Sequence, residues 1–142
     1  MRSPVFVLLF LLTACRSHDD SKLFTLMDPD ATGINFKNEL FEDDQLNVMK
    51  YGYFYNGSGV AVGDINNDGW LDIVVSRAGP FQPAFRKKLV YFNNGNLSFT
   101  DRAKETGLDD ASFTTQTYFL DYDRDGDMDA FLVNHPISFN NT

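Results

Sequence analysis

Apolar residues in this chain come in short runs, separated by stretches rich in Asp, Asn and Gly. Val60-Ala61-Val62, Ile73-Val74-Val75, Leu89-Val90-Tyr91-Phe92, Thr117-Tyr118-Phe119-Leu120 and Ala130-Phe131-Leu132-Val133 are the clearest. Runs of this length, rich in β-branched and aromatic residues and bounded by turn formers, read as buried strands. A further strand is expected over 97–100, after a turn at Asn93-Asn94-Gly95-Asn96, with a short helical turn near Arg102–Glu105. Upstream, Ile34-Asn35-Phe36-Lys37 alternates like a strand, and Tyr51-Gly52-Tyr53-Phe54-Tyr55 reads as an aromatic strand. Its tyrosines suit packing between sheets, with a sugar-stacking platform as the alternative. The pattern predicts an all-β chain.

The polar stretches inside two of these strand pairs carry the candidate chemistry. Asp64-Ile65-Asn66-Asn67-Asp68-Gly69-Trp70-Leu71-Asp72 and Asp121-Tyr122-Asp123-Arg124-Asp125-Gly126-Asp127-Met128-Asp129 both read D-x-[DN]-x-D-G-x-x-D, and they begin 57 residues apart. Oxygen donors at positions 1, 3, 5 and 9, around a glycine that permits a positive-φ turn, let a short loop wrap a hard cation such as calcium. The expected donors are Asp64, Asn66, Asp68 and Asp72 in one loop, and Asp121, Asp123, Asp125 and Asp129 in the other. A pair of metal-free Asx turns is the bland alternative. An EF-hand is rejected, because position 12 is Val75 or Leu132 rather than Glu and strands, not helices, flank the loops. The second loop holds four carboxylates against three plus an amide, so tighter binding is expected there.

Strand, D-x-[DN]-x-D-G-x-x-D, strand resembles the FG-GAP/VCBS repeat, the calcium-loop blade of integrin-α-type β-propellers. The stretches Tyr55 to Asp72, Leu89 to Gly95, Phe99-Thr100-Asp101 and Gly107-Leu108 are similar to bacterial proteins of the cartilage-acidic-protein type. The resemblance covers about residues 24–135. It implies a partial β-propeller and calcium as cofactor, with the Trp70 and Asp127 carbonyls completing the two ligand sets.

Met1 to Ala14 reads as an address. The apolar run Val5–Leu12 spans about 12 Å as a helix, too short for a hydrocarbon core of about 30 Å, so it is a signal peptide and not a membrane span. Leu12-Thr13-Ala14-Cys15 resembles a lipobox, which makes Cys15 the lipidation site and residues 15–23 a polar tether. Cys15 is the only cysteine, so no intrachain disulfide is available. The expected location is the bacterial envelope, as an outer-membrane lipoprotein whose acidic tether resembles a surface-export tether.

A formal net charge of −8 argues against nucleic acid as a partner. The Arg86-Lys87-Lys88 cluster is expected to be a solvated loop end, with docking of acidic glycans or lipid heads as the alternative. No nucleophile–base pair, Walker loop or His-rich cluster is visible, and the two histidines, His18 and His135, lie far apart. Propellers use four to eight blades, so a ring built on a period of about 57 residues needs several hundred residues. A truncated propeller over 24–142 is therefore expected, with a first blade at about 57–110 and a second beginning at about 113. The implied function is adhesion, or recognition of a protein or glycan. The alternatives are part of a calcium-dependent propeller enzyme acting on polysaccharide, or a gene remnant.

Overall fold

The computed structural model describes residues 22–45, 47–50, 52, 54–55, 57, 59–78 and 83–135. The apolar run 5–12, Cys15, Tyr51, Tyr53 and residues 79–82 lie outside that set. The first described element is a single helical turn, α1 (Pro29–Thr32). It follows from local chemistry: the Asp28 carboxylate accepts from Asp30 N, proline occupies the first turn, and Gly33 closes the end. No strand forms at 34–37. A four-residue alternation sets no backbone state unless a sheet edge supplies hydrogen bonds, and here Phe36 lies under the Arg77 guanidinium, 5.6 Å from its ring centroid. Gly52, Phe54 and Tyr55 sit in turns instead of the expected aromatic strand. Phe54 is buried and meets the exposed Tyr55 edge to face.

The rest is β-structure. Strands β1 (Val60–Gly63), β2 (Asp72–Val75), β3 (Leu89–Asn93) and β4 (Phe99–Asp101) form an antiparallel meander in sequence order. Its register pairs Val62 with Ile73, Val74 with Val90 and Phe92 with Thr100. A one-turn helix, α2 (Ala103–Thr106), follows β4, one residue later than expected. The Asp101 carboxylate accepts from Ala103 N and Val90 N, fixing α2 to the edge of β3. Strands β5 (Thr114–Leu120) and β6 (Asp129–Asn134) make a second antiparallel sheet, with a bulge between Thr114 and Gln116. Two antiparallel sheets with one loop type at the same place in each make the chain a partial β-propeller.

Ala61, Val74, Val90, Phe92 and Ala103 form the core, and Phe119 of β5 packs onto it together with Ile65 and Leu108. The sheets approach closely because the face of β1 toward β5 is small. A Cβ on Gly59 would lie 2.3 Å from the Thr115 carbonyl oxygen, and one on Gly63 would lie 2.9 Å from the Phe119 ring. Ser76 Oγ and Thr117 Oγ1, both buried, share a 2.8 Å hydrogen bond across the joint. Gly59→Ala is expected to cost about 2 kcal/mol, because backbone cannot rotate aside as a side chain can. Urea denaturation checks this, and an unchanged midpoint would show that the two sheets do not bear on each other.

Burial departs from the expectation of fully buried strands. Val60 and Val62 point outward from β1, leaving Ala61 as its core residue, and Phe131 on β6 is 60% exposed. β6 pairs only with β5, so its other edge has no strand partner among the described residues.

The three cations at 86–88 do not form a solvated patch. Lys88 is buried and donates to Asp110 Oδ2 and, at 3.2 Å, to Ser112 Oγ. Arg86 Nε donates to the Ala111 carbonyl at 2.9 Å, and its guanidinium stacks on Phe113. Lys87 pairs with Asp109 at 3.1 Å. Together they fasten the β2–β3 connection to the segment that leads into the second sheet.

Candidate metal centre

Each D-x-[DN]-x-D-G-x-x-D loop joins the two strands of a hairpin, β1 to β2 and β5 to β6. The backbone reverses through two positive-φ residues. These are Asn67 (56°) and Gly69 (87°) in the first loop, and Arg124 (65°) and Gly126 (94°) in the second. Only glycine takes the latter conformation without strain, which explains position 6 of the motif.

The loops repeat one another nearly bond for bond. The carboxylate at position 1 accepts from the glycine N–H: Asp64 from Gly69 at 2.8 Å, Asp121 from Gly126 at 3.3 Å. Position 5 accepts from the N–H at position 7, Asp68 from Trp70 at 2.8 Å and Asp125 from Asp127 at 2.9 Å. The side chain at position 3 accepts from the N–H at position 5, at 3.3 Å in both. The last carboxylate reaches back to position 2, Asp72 to Ile65 N at 3.0 Å and Asp129 to Tyr122 N at 2.8 Å. These bonds hold the side-chain oxygens on the inside of the turn.

The two loops then differ. Ligand-type oxygens of Asp121, Asp123 and Asp129 all lie within 4.8 Å of one another, and all three residues are exposed. Oxygens around one calcium ion, bonded at roughly 2.3–2.6 Å, are at most about 5 Å apart. The second loop thus presents a donor set of suitable spacing, made only of the hard oxygens such a cation takes. Asp125 stands outside that group of three.

The three acids of the first loop form no such group. Asn66 turns its amide to donate to Asp68 Oδ2 at 2.8 Å. Asp72 is fully buried, and its second oxygen accepts from Asn93 N on β3 at 2.8 Å. Asp72 therefore joins the loop to the third strand, whereas Asp129 lies in a two-stranded sheet and stays exposed. The Asp127 carboxylate accepts from Asn67 Nδ2 at 2.7 Å and ties the two loops together. Trp70 lies half-exposed against the β3–β4 turn.

Asn93 is a site residue that sequence reasoning took for a turn former only. Beyond its N–H on Asp72, its side chain donates to the Leu71 carbonyl at 3.2 Å and accepts from Gly95 N at 3.0 Å. The cue was its place at the strand end, one residue before the Asn-Gly pair.

The FG-GAP repeat family matches residues 56–84, the span that holds β1, the first loop and β2. Searches of curated proteins and of solved structures found no match. An FG-GAP repeat is consistent with a propeller module for recognition or adhesion. The second loop lies outside the matched span, and its repetition of the first is a finding of geometry.

Proposed function

We propose that this chain is a calcium-stabilised recognition module, held at a bacterial envelope through a lipidated Cys15, that binds a protein or glycan without transforming it. It is read as a protein of the bacterial cartilage-acidic-protein type. The observation that carries the calcium part is the convergence of Asp121, Asp123 and Asp129 within 4.8 Å. In the first loop Asp64, Asn66 and Asp68 would serve, Asp72 being held by the backbone N–H groups of Ile65 and Asn93, with the Trp70 and Asp127 carbonyls as the neutral donors of the two loops. Bound calcium would supply the positive charge that lets these carboxylates stay close together. The chain's own part is structural. Asp121 and Asp129 stand at opposite ends of one loop, so drawing them together fixes the turn between β5 and β6. The Asn67–Asp127 bond then couples that loop to the first.

Calorimetric titration of the chelated chain is expected to show two calcium steps, the tighter at the four-carboxylate loop by about tenfold. Asp123→Ala should remove the tighter step and Asp68→Ala the weaker one. Equal residual affinities would overturn the ranking, and no calcium heat at all would overturn the proposal. At a hundredfold excess over Kd, calcium should add about 2.7 kcal/mol to stability, read as a rise in Tm. Saturable binding to a polysaccharide or protein without turnover supports recognition; turnover would favour the enzyme reading.

A further inference from the structure

A cleft of about 510 Å³ opens beside the first loop. Its lining joins Asn66, Asp68 and Trp70 of the loop to Phe92, Asn93, Asn94, Thr100 and Arg102 from β3 to the residue after β4. Its volume falls within the range of small-molecule sites. The lining combines one broad apolar plane with several short hydrogen-bonding groups, and both are held in place.

The plane is the indole of Trp70, 52% exposed. It lies so close to Gly95 that a Cβ there would sit 3.2 Å from the indole Nε1, and the absence of that carbon lets the ring rest on the turn. The amides are fixed too. Asn94 Nδ2 donates to Ser98 Oγ at 3.0 Å and to Thr100 Oγ1 at 3.3 Å, while Asn93 is held by Leu71 and Gly95. Groups already immobilised lose little freedom when a ligand arrives.

Charge narrows the ligand. Arg102 is the only cation in the lining, and it is already engaged: Nε donates to Glu105 Oε2 at 2.6 Å and its guanidinium stacks on Phe92 at 4.7 Å. Asp68 remains as a carboxylate, in a chain of net charge −8. An anionic ligand would be repelled. A neutral one with an apolar face and a rim of hydroxyls fits: the face lies on the indole, and the hydroxyls reach amide, hydroxyl and carboxylate partners.

We infer that this cleft is a subsite for a neutral pyranose sugar. The inference deepens the recognition reading above; Asn66, Asp68 and Trp70 line the cleft and also belong to the proposed calcium loop, so both states of that loop are tested. The second loop carries Asp127 where the first has Trp70, so the platform belongs to the first loop alone.

The test titrates the full chain with methyl glucoside, methyl galactoside, methyl mannoside and neutral oligosaccharides of each. N-acetylneuraminic and glucuronic acids form the acidic arm. Trp70, the only tryptophan, reports directly through its emission and its protection from acrylamide quenching. At least one neutral sugar should give a saturable, quench-protected change, with Kd on the order of 1 mM for a single ring. By calorimetry, Trp70→Ala should weaken binding by about tenfold or more, and Thr100→Val, which removes one exposed hydroxyl, by about threefold.

Running the titration with calcium and with chelator separates the two readings. Sugar binding that survives chelation keeps the subsite while the calcium reading stands or falls by itself. A calcium response with no sugar response, in a chain that retains its strand-type circular dichroism, overturns the subsite. Binding of the acids alone, or unchanged affinity in both variants, overturns it as well.

Discussion

Asp72→Ala is expected to lower the stability of the chain by about 4 kcal/mol, far more than loss of an exposed loop carboxylate. Asp72 is fully buried and accepts two backbone hydrogen bonds, from Ile65 N at 3.0 Å and from Asn93 N at 2.8 Å. Truncation leaves both donors without their charged acceptor, and each orphaned group costs about 1–3 kcal/mol. The same change at Asp129 removes one bond from an exposed hairpin, so a cost near 1 kcal/mol is expected there. Urea denaturation of the two variants, with chelator present so that no metal contributes, measures the difference directly. Equal midpoints would show that Asp72 does not join the first loop to β3. Asp72→Asn should rescue little, since an amide presents one acceptor where two are needed.

Asp110→Asn should destabilise by about 3 kcal/mol, while Lys88→Met costs less than about 1 kcal/mol. The Lys88 side chain is fully enclosed, whereas that of Asp110 is 44% exposed. Removing the carboxylate strands an ammonium in the interior, but removing the ammonium leaves a carboxylate that water can solvate. The double variant should resemble Lys88→Met alone, since no buried charge remains to be stranded.

The same pair sets an acid limb. Burial pushes the Asp110 carboxyl up, but the hydrogen bonds from Lys88 Nζ and from the Ser112 hydroxyl and backbone, with attraction to the ammonium, outweigh it and hold the group below its usual range. The folded state therefore binds fewer protons than the unfolded one in that interval. The stabilisation is complete above the ordinary carboxylate value of about 3.9 and is lost as pH falls through the depressed one. Wild type and Asp110→Asn should converge in stability as pH falls below the ordinary carboxylate range, when denaturation is followed with chelator at each pH. A constant gap from neutral to acid would refute the coupling.

Much of the scaffold was legible because it is local. Ile73-Val74-Val75 and Leu89–Phe92 became strands within a residue of their expected ends, since β-branched runs between turn formers have few other uses. The α1 turn, set by Asp28, Pro29 and Gly33, was not among the expected elements, and the alternation after it predicted a strand that does not form. Arg86-Lys87-Lys88 could not be read in this way. Their partners lie more than twenty residues on, and a cation run looks the same whether it is solvated or buried.

The two loops mark where local determination stops. Asp-x-[Asp/Asn]-x-Asp-Gly-x-x-Asp determined the turn by itself: the positive-φ residues and the carboxylate-to-backbone bonds span at most seven residues, so both copies close alike. What became of the last aspartate was decided by tertiary structure. Asp72 is buried against β3, and Asp129, with the same letter at the same position, stays exposed beside Asp121 and Asp123. A carboxylate is a hydrogen-bond acceptor and a metal ligand at once. Which role it takes depends on whether a neighbouring strand brings an N–H to its free oxygen, and that is a property of packing rather than of sequence.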